Sequence, residues 1–512
     1  MIGIHWRSDL DSSTGPTPHP RAMGKRPAAS ILIRLDPRAR GALQQQIYSG
    51  IRLGILNGVL EPGTRLPSSR ALAEDLGVSR TTTLLALEQL LAEGYLATQR
   101  GSGTFVAREL PDDLHHAAPS GPAPEPKHPP LSARGAALAA VPPAARRLKG
   151  PPRAFRIGTP ALDLFPLRLW SQLSRRRLRA MSPAQLDYGS PHGLPVLREA
   201  IAEQVRTRGT RCTAAQVVVV GGSQRALDLI CHLLLDPGDQ AWLEEPGYPG
   251  ARSALLAAGA RIVPVKVDGD GLDVEAGARI APGARLAFCT PSHQFPLGLP
   301  MSLPRRLALL RWASAARAWV IEDDYDGEFR YGTHPIPCLH GLDVDSRVIY
   351  VGSFSKTLFP ALRLGFLIVP PDLQPAVRRV AEVQPPPLDQ AVLADFIAEG
   401  HFDRHVRRMR AAYRERLEAL AAASARHCPG ELRLRPVRTG LHVVADLDGV
   451  DAEQVAREAA ARNVEVTPLA AYFADRAGAA NALVLGFAAV GPDAVRRGME
   501  RLAAAIAAVR GR

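Results

Sequence analysis

Several features that would point to a metal centre, a disulfide framework or a membrane anchor are missing from this sequence. Its 512 residues include five cysteines, at positions 212, 231, 289, 338 and 428, and no two of them form a CxxC pair. An odd number of scattered cysteines predicts reduced, mostly buried thiols in a cytosolic protein. No run of 18 or more apolar residues occurs, and the first thirty residues lack an apolar signal core. We therefore expect a soluble, cytoplasmic protein without a membrane span.

Acidic residues are in the minority, because 50 Asp and Glu stand against 63 Lys and Arg, which gives a formal net charge of +13. Such a balance suits a polyanionic partner, although total charge carries no information about fold. The apolar fraction of 46% is sufficient for large cores. A chain of this length predicts two or three domains. The polar, proline-rich residues 1–30 are expected to be disordered.

Residues 31–107 have the pattern of a small helical unit. Apolar residues recur every four positions in its first part, as on one stripe of a helix: Leu43, Ile47, Ile51 and Ile55. Ser68 or Ser69 then caps a short second helix, which Gly77 ends in a tight turn. Ser79 caps a third helix. A glycine-containing turn between two helices predicts a helix-turn-helix motif.

Two short strand patterns follow the third helix, at residues 95–98 and 104–106. They flank the basic, glycine-rich stretch 99–103, which predicts a β-hairpin, or wing, whose backbone can approach a ligand closely. DNA fits this chemistry, because Arg80 at the start of the third helix suits a guanine edge and the neighbouring hydroxyls suit phosphates. The alternative, a helical adaptor with solvated arginines, does not explain the wing.

Three segments of this unit, 66–70, 77–82 and 101–106, resemble the winged helix of the GntR family. The resemblance implies that these positions contact operator DNA: Arg70, Ser79, Arg80, Thr81, Thr82, Arg100 and Gly101. Leu84 stands where some members of that family have a further arginine. This departure concerns the base sequence that is read rather than DNA binding itself.

Residues 108–152 are rich in proline and alanine and show no sustained period. This composition predicts a semi-extended linker, long enough to let the DNA-binding unit lie far from its own second domain. The histidines at positions 115, 116 and 128 lack the spacing of a metal site, so we predict no metal there.

The second domain, residues 153–512, alternates strand-like runs with amphipathic helical stretches. Continuous apolar strands in such an alternation predict an α/β fold with a mainly parallel sheet covered on both faces. The predicted strands are residues 216–220, 240–243, 261–265, 286–289, 319–322, 347–350 and 365–369. Ligands of such sheets bind beyond the carboxyl ends of the strands, so functional residues are expected directly after them.

Four of these strands are followed by residues with useful chemistry. The run 221–224 places two glycines and a hydroxyl at the start of a helix, which predicts an anion site. Tyr248 is available to stack on a flat ring. The run 322–325 offers a carboxylate for a ring nitrogen and a phenol for a ring oxygen. The run 353–356 ends in Lys356.

Lys356 lies between two apolar segments, 348–351 and 362–369. A lysine in such surroundings is costly unless it has chemical work, and an uncharged amine in a dry pocket is a nucleophile towards an aldehyde. Ser353, Ser355 and Arg363 are suited to hold a phosphate through charge-assisted hydrogen bonds. Together these residues match the needs of pyridoxal 5'-phosphate (PLP). The alternative for this stretch alone is a surface lysine in a loop.

The second domain as a whole resembles the fold-type I, aspartate-aminotransferase-like PLP enzymes, and its fusion to a GntR winged helix resembles the MocR family of regulators. The motifs that carry this resemblance lie at 188–193, 290–296 and 400–410. It implies a mainly parallel large domain and a smaller C-terminal α+β subdomain, formed by residues from about 396 to 512 together with 153–184.

The resemblance also implies individual roles around PLP. Lys356 would form the Schiff base, and Asp323 would pair with the pyridine nitrogen. Tyr325 would bond the ring oxygen, and Tyr248 would stack on the ring. The residues implied to hold the phosphate are Ser223, Gln224, Ser353 and Arg363.

Two departures from the aminotransferase pattern favour a sensor over an active aminotransferase. Aminotransferases hold the substrate carboxylate with an arginine, but this chain has Leu483 and Val484 at the place where that arginine is expected. Arg435 or Arg438 is the alternative residue for binding the carboxylate. Phe295 replaces the asparagine that flanks the ring oxygen.

The family further implies a head-to-tail homodimer, with each winged helix resting on the partner's large domain. Its effector is expected to be PLP itself or a small amine such as γ-aminobutyrate or taurine.

Overall fold

The computed structural model describes residues 33, 35–36, 43–99, 101–110, 131–141, 150–187, 189–206, 208–331, 337–381, 385–437 and 439–511. The chain divides into two compact units, Met1–Pro129 and Pro130–Arg512. All five cysteines are buried free thiols, as predicted. No helix in the described ranges combines the length and the apolar character needed to cross a bilayer.

The first unit is a helix-turn-helix followed by a two-stranded wing, which confirms the prediction. Its elements are α1 (Leu43–Leu56), α2 (Ser69–Leu76), α3 (Arg80–Ala92), β1 (Leu96–Gln99) and β2 (Gly103–Val106). The Ser68 side chain caps α2, and Gly77 ends it in the left-handed conformation. The Ser79 side chain caps α3 by accepting a hydrogen bond from the Thr82 amide. β1 and β2 pair antiparallel, with Thr98 opposite Thr104.

A single core holds this unit together. Ile47, Ile51 and Ile55 of α1 are buried against Leu72 of α2 and against the inner face of α3. Burying each of these side chains contributes about 1.5–3 kcal/mol, so the four-residue periodicity is the main reason why α1 forms here.

One helix lies where the sequence predicted a linker without secondary structure. Residues Ala133–Ala140 form α4, and the Ser132 side chain caps it by accepting a hydrogen bond from the Gly135 amide. The prediction was wrong over this stretch because the proline content of the surrounding residues hid an alanine-rich run with high helix propensity. The rest of the predicted linker between 111 and 149, apart from 131–141, lies outside the described residues.

The large domain of the second unit is built on an eight-stranded sheet. The elements of the second unit between residues 167 and 427 are α5 (Leu167–Arg179), α6 (Pro195–Arg206), β3 (Val217–Val220), α7 (Ser223–Leu234), β4 (Gln240–Glu245), α8 (Pro249–Ala257), β5 (Arg261–Asp268), β6 (Gly271–Leu272), α9 (Val274–Ile280), β7 (Leu286–Cys289), α10 (Leu303–Ala316), β8 (Trp319–Asp324), α11 (Leu339–Leu342), β9 (Val348–Ser353), β10 (Gly365–Ile368), α12 (Gln374–Val380), α13 (Pro387–Ala398) and α14 (His401–His427). All seven predicted strands are present, shifted by at most a few residues.

The strand order of this sheet is β3-β10-β9-β8-β7-β4-β5-β6. Strands β5, β4, β7, β8 and β9 run parallel, whereas β10 is antiparallel to both of its neighbours. Alternate residues of β3 enter different cores: Val218 and Val220 lie in one apolar cluster, and Val217 and Val219 lie in another. Burial on both faces explains why this strand is uninterrupted valine.

The C-terminal part of the chain forms a smaller antiparallel sheet. Its elements are β11 (Leu432–Leu434), β12 (His442–Leu447), α15 (Ala452–Ala461), β13 (Thr467–Pro468), β14 (Ala482–Gly486) and α16 (Pro492–Arg510), with strand order β11-β12-β14-β13. Phe155 forms a β-bridge with Gly486, which brings the start of the second unit against this sheet. The neighbouring Gly158 thereby reaches the carboxyl edge of the large sheet, as its contact with Lys356 shows.

Candidate functional site

The parallel strands β4, β7, β8 and β9 all end at one edge of the large sheet, and Lys356 lies three residues beyond the end of β9. Its Nζ donates a hydrogen bond of 2.7 Å to the carbonyl of Gly158. Burial lowers the pKa of the Lys356 amine, while Asp326 and Asp323 act in the opposite direction. A lowered pKa increases the neutral fraction of the amine, the form that attacks an aldehyde.

Gly158 is required at its position for two reasons. Its φ is +72°, a conformation that L side chains rarely adopt, and a Cβ atom would lie 2.9 Å from Nζ of Lys356. Any larger residue would therefore displace the amine. The sequence carried no local signal for this contact, because it joins residues 198 positions apart.

Asp323, on β8, has the property expected of a carboxylate that awaits a ligand. It is only 3% exposed, and its Oδ1 has no hydrogen-bond partner among the described residues. Burial raises the pKa of Asp323 to about 8, and repulsion from Asp324 and Asp326 adds to this effect. An unsatisfied buried acceptor costs about 1–3 kcal/mol. A protonated ring nitrogen would supply the missing donor, so this carboxylate fits the pyridine nitrogen of PLP.

Tyr325 belongs to a hydrogen-bonded group with His293 and Asp326. The Tyr325 hydroxyl donates to the carbonyl of His293 at 3.0 Å, and its oxygen lies 2.9 Å from Nδ1 of the same histidine. Nδ1 of His293 lies 3.0 Å from Oδ2 of Asp326, and both residues are buried. The phenol is therefore oriented by two further side chains. His293 belongs to the 290–296 motif, but neither it nor Asp326 was predicted from the sequence to have a role.

His442 extends this group on β12, with its ring 4.7 Å from that of His293. Ligand atoms of His293, Asp326 and His442 lie within 4.8 Å of one another. However, Nδ1 of His293 and Nε2 of His442 already have hydrogen-bond partners, the latter in the carbonyl of Pro296. Nε2 of His293 is buried and has no hydrogen-bond partner among the described residues. The bonds of Nδ1 of His293 and Nε2 of His442 make the group a hydrogen-bonded support for Tyr325.

Aromatic rings line the same region. Tyr248 follows β4, and its ring lies 5.7 Å from that of Phe295 in an edge-to-face arrangement. Phe295 also contacts the rings of Tyr325, His442 and Tyr472, at centroid distances of 6.1, 5.6 and 5.0 Å. The residue that replaces the aminotransferase asparagine is therefore part of an apolar wall and cannot donate a hydrogen bond to a ring oxygen.

Three of the residues predicted to hold a phosphate, Ser223, Gln224 and Arg363, lie at the start of α7, whereas Ser353 ends β9 and lines a neighbouring cavity. Gly222 precedes this helix with a φ of +93°, and Ser223 begins it, so free backbone amides are available there. Arg363 donates to the carbonyl of Gly221 at 3.1 Å, and a Cβ on Gly222 would lie 3.3 Å from its guanidinium. The Ser353 hydroxyl accepts a hydrogen bond from the Ser355 amide.

Gln224 is the exception among the predicted phosphate residues. Its side-chain amide donates to Asp228 Oδ1 and to the carbonyl of Gly250, both at 3.1 Å. The amide is thus committed to joining α7 and α8. A contribution of Gln224 to phosphate binding would come from its backbone N–H in the first turn of the helix.

Val484, predicted from the sequence to stand where aminotransferases have an arginine, lies on β14. Val484 is fully buried in an apolar cluster with Val444, Leu469 and Tyr472, beside Phe295. Arg435, one of the two alternatives, forms ion pairs with Asp446, the closer at 2.6 Å. Arg438, the other alternative, lies outside the described residues. Val484 and Phe295 thus lie in one apolar cluster, and their correspondence to the arginine and the asparagine of aminotransferases remains a prediction from the sequence.

The predicted DNA contacts that the structure describes lie on three segments of the first unit, which are α2, the start of α3 and the tip of the wing. Ser79, Arg80 and Thr81 are exposed at the N-terminus of α3, and the Thr82 hydroxyl lies 2.7 Å from that of Ser79. Arg70 is exposed on α2, near Glu74. Gly101 is at the wing tip, where its φ is +77° and nothing lies within 4 Å of a Cβ. Arg100 lies outside the described residues.

Two contacts that sequence reasoning missed position these DNA-binding elements. The Thr83 hydroxyl donates to the carbonyl of Ser69 at 3.0 Å and so links α3 to the start of α2. Arg65 forms a β-bridge with Phe105 and lies against Gly103 in the wing. Leu84, which stands where some GntR proteins have arginine, is 41% exposed on α3 and is available for an apolar contact with a thymine methyl group.

Comparison with known proteins agrees with both halves of this description. Residues 43–106 match the family described as "Bacterial regulatory proteins, gntR family", and residues 160–502 match "Aminotransferase class I and II". The probable rhizopine catabolism regulatory protein MocR of Rhizobium meliloti is 42% identical over 484 residues, which cover 93% of this chain and 96% of that protein. The pyridoxine biosynthesis transcriptional regulator PdxR of Corynebacterium glutamicum is 32% identical over 472 residues, 91% of this chain and 97% of PdxR.

Among solved structures, the α-aminoadipate aminotransferase LysN of Thermus thermophilus is similar, with a TM-score of 0.64 and 31% identity over 70% of this chain and 92% of LysN. LysN was solved in complex with a phosphopyridoxyl-leucine compound. This fold and the unsatisfied carboxylate of Asp323 identify pyridoxal phosphate as the cofactor of the second domain. The chain belongs to the MocR-type proteins, in which a gntR-family DNA-binding domain is joined to an aminotransferase class I and II domain.

Proposed function

We propose that this protein is a cytoplasmic transcriptional regulator whose affinity for operator DNA changes when PLP, or an amino compound that reacts with PLP, binds to the second domain. The observation that carries this proposal is the presence on one chain of an exposed helix-turn-helix and a buried lysine-carboxylate site without a substrate arginine at Val484. The regulators MocR and PdxR, similar over more than nine-tenths of the chain, support it.

The cofactor supplies an aldehyde carbon that reacts with amines. Lys356 would hold it covalently, because its amine has a lowered pKa and is oriented by the Gly158 carbonyl. Asp323 would accept a hydrogen bond from the ring nitrogen. Tyr325, held by His293 and Asp326, would turn its one hydroxyl hydrogen from the His293 carbonyl to the ring oxygen, and Tyr248 would pack on the ring.

The remaining residues would hold the phosphate. Ser223 and Gln224 would offer the free amides at the start of α7, and Arg363 would add a charged fork. Ser353 would add a hydroxyl. Each of these contacts is formed by residues directly after a strand, where an α/β sheet binds its ligands.

DNA would be read by the first unit. Arg80 would contact base edges in the major groove, while Ser79, Thr81 and Thr82 would position the helix on phosphates. Arg70 and the wing residues Arg100 and Gly101 would add backbone contacts. A ligand shifts operator affinity only by its differential affinity for the two arrangements of the protein. We further propose that these arrangements belong to a head-to-tail homodimer.

Operator affinity measured with and without PLP tests this function. We expect at least a severalfold change for the wild-type chain and no change for Lys356→Ala, which cannot hold the cofactor covalently. Reduction with borohydride followed by mass spectrometry should place a phosphopyridoxyl group on Lys356. Equal operator affinities in a chain that carries this label would contradict regulation by PLP, and the measurement would then be repeated with an added amine. Light scattering would test the dimer.

An active aminotransferase is the second candidate, because LysN shares the fold and 31% of the residues. The two candidates differ in turnover. A sensor reacts with an amine at most once per cofactor, whereas an aminotransferase converts many molecules of an amino acid and a keto acid. Steady multiple turnover by the purified protein would favour the enzyme and would require an arginine other than one near Val484 to hold the carboxylate.

A further inference from the structure

Besides the predicted cofactor site, the large sheet borders a cavity. This cavity lies on the face opposite to the one that carries the unsatisfied oxygen of Asp323. It has a volume of about 300 Å³ and is enclosed by α6, the ends of β8 and β9, and the first turns of α14. Asp324 lines it, and Asp323 does not. Adjacent residues of a strand point to opposite faces, so the two carboxylates serve different spaces. The loop that carries Lys356 separates the cavity from the cofactor site, with Thr357 on the cavity side.

The floor of this cavity contains a negative charge with a free acceptor. Oδ2 of Asp324 accepts hydrogen bonds from the Tyr350 hydroxyl, at 2.6 Å, and from Arg208. Oδ1 has no partner among the described residues, although Asp324 is only 4% exposed. The hydroxyl of Thr357, which is 1% exposed, also has no partner in the described part of the chain. Arg208 lies between two carboxylates: besides its bond to Asp324, its Nη1 lies 3.2 Å from Glu328, where it forms an ion pair but has no hydrogen-bond partner among the described residues.

The charge of the floor persists at neutral pH. Burial by itself would raise the pKa of Asp324, but Arg208 and the Tyr350 hydroxyl outweigh burial, so the pKa lies below its ordinary value. An anionic oxygen that lacks a donor in a buried place calls for a hydrogen-bond donor, preferably a cationic one.

The mouth of the cavity is lined by two arginines and one carboxylate, Arg407, Arg410 and Asp403. Arg407 and Arg410 line it from α14, where a spacing of three residues places them on one face. Arg410 donates to the backbone carbonyl of Glu328 at 2.6 Å. Arg407 is exposed and forms no ion pair or hydrogen bond with the residues that the structure describes. Its guanidinium is therefore available for a carboxylate.

We propose that this cavity binds a small zwitterionic amino compound without covalent chemistry. The ammonium group would donate to Oδ1 of Asp324 and to Thr357, and the carboxylate would pair with Arg407. A cavity with the Arg407 cation at its mouth and the Asp324 anion at its floor selects a ligand with both charges. A ligand with one charge would leave one of these two side chains unpaired. The ligand would touch the lysine loop directly through Thr357.

One hydrogen bond connects such a ligand to the helix behind it. The carbonyl of Thr357 accepts from Nε2 of His405 on α14 at 3.0 Å, so Thr357 is held between the cavity and this helix. A compound that draws Thr357 and Arg407 together would bias the position of the loop next to Lys356. The site would thus sense an amino compound separately from any reaction of that compound with PLP.

The test uses the full chain after reduction with PLP and borohydride, so that an added amine cannot react at Lys356. Calorimetry with β-alanine is expected to show one site per chain with a dissociation constant in the millimolar range or tighter. Propionate and ethylamine, which each carry one of the two charges, are expected to bind at least about tenfold more weakly.

Two exposed arginines of the same helix give a matched pair of variants. Arg407→Gln should weaken β-alanine binding about tenfold or more, whereas Arg408→Gln, which does not line the cavity, should leave it unchanged. Absence of binding up to about 50 mM, equal effects of the two substitutions, or propionate binding as tightly as β-alanine would each overturn the proposal. If reduction labels no lysine, the cofactor assignment fails, and calorimetry on the unreduced Lys356→Ala chain tests the cavity alone.

Discussion

The two halves of this molecule display their functional residues in opposite ways. The helix-turn-helix presents Ser79, Arg80 and Thr81 to solvent on a small unit with one apolar core. The aminotransferase-like domain buries Asp323 and encloses Lys356 at the edge of a sheet covered on both faces. DNA is a large polyanion whose bases and phosphates are contacted from outside. Protein side chains that bind it therefore attract it best when they remain charged and solvated until contact. A small cofactor requires groups whose protonation has been altered by removal from water.

This contrast has a consequence for mutations. Substitutions of DNA-binding side chains that have no capping role, such as Arg80, should alter affinity for DNA with little effect on folding. Substitutions in the cofactor site should alter the affinity for PLP, the protonation of neighbouring side chains and the free energy of unfolding together. Buried charges contribute to all three.

The largest expected effect is that of Lys356→Ala. Without the amine no covalent link to PLP forms, so labelling by borohydride reduction should fall to zero, and so should the absorbance of the bound cofactor. Binding of the same chain to operator DNA should persist, since the helix-turn-helix has its own core. A labelled Lys356→Ala chain would contradict the cofactor assignment, and complete loss of DNA binding would contradict the independence of the two halves.

Asp323→Asn should weaken PLP binding by at least about tenfold, because a neutral amide does not stabilise a protonated ring nitrogen. It should also change the pH dependence of stability in the cofactor-free protein. The wild-type carboxyl keeps its proton in the folded state up to about pH 8, whereas the unfolded chain releases it near 3.8. The folded state therefore holds the extra proton between these values, and the unfolding free energy falls as pH rises through that window.

The variant should flatten this slope by up to about 1.4 kcal/mol per pH unit. Denaturant unfolding at a series of pH values measures it. The slope will not vanish, because burial also raises the pKa values of Glu244 and Glu322 to about 7. An unchanged slope would mean that Asp323 is not the group that titrates.

Arg80→Ala should weaken binding to the specific operator by about 1–3 kcal/mol, because a base contact in the major groove is lost. Arg80→Lys is the matched control: it keeps the charge but not the bidentate geometry, so it should retain non-specific binding and lose specificity. Titrations with operator and with unrelated DNA at one salt concentration separate these effects. Equal losses on both DNAs would make Arg80 a phosphate contact.

The smallest effect should come from Ser79→Ala. The substitution removes the cap of α3, which accepts a hydrogen bond of 3.1 Å from the Thr82 amide, and should cost about 0.5–2 kcal/mol of stability in the first unit. Thermal unfolding of the first unit in the full chain measures this loss. Ser79→Asp, which preserves an acceptor, should restore stability but weaken DNA binding through repulsion of phosphates. Unaltered stability in Ser79→Ala would remove the capping argument.

The sequence predicted best where the signal was local. The spacing of Ile47, Ile51 and Ile55 and the caps at Ser68 and Ser79 were sufficient for the helix-turn-helix. The uninterrupted apolar strands predicted the parallel sheet and its functional edge. Where the structure departed from expectation, in α4, a short alanine-rich run within a proline-rich stretch was overlooked.

Contacts between distant parts of the chain could not be predicted in this way. The carbonyl of Gly158 orients Lys356 from 198 residues away, and His293, which follows β7, joins Tyr325 and Asp326, which follow β8. The unsatisfied oxygen of Asp324 and the cavity beneath it depend on the packing of α6 and α14. None of these has a periodicity or a motif, because each results from side chains that meet only after the sheet and its helices have packed.

The amino-acid sequence by itself determined the division into two units, the order in which candidate functional residues follow the strands, and the choice of Lys356. Each of these follows from short-range pattern and residue type. Only the tertiary structure decided which carboxylate lacks a partner, which amide is already committed and which arginine remains free. Those properties depend on burial and hydrogen bonding, which exist only once distant segments exclude water from one another.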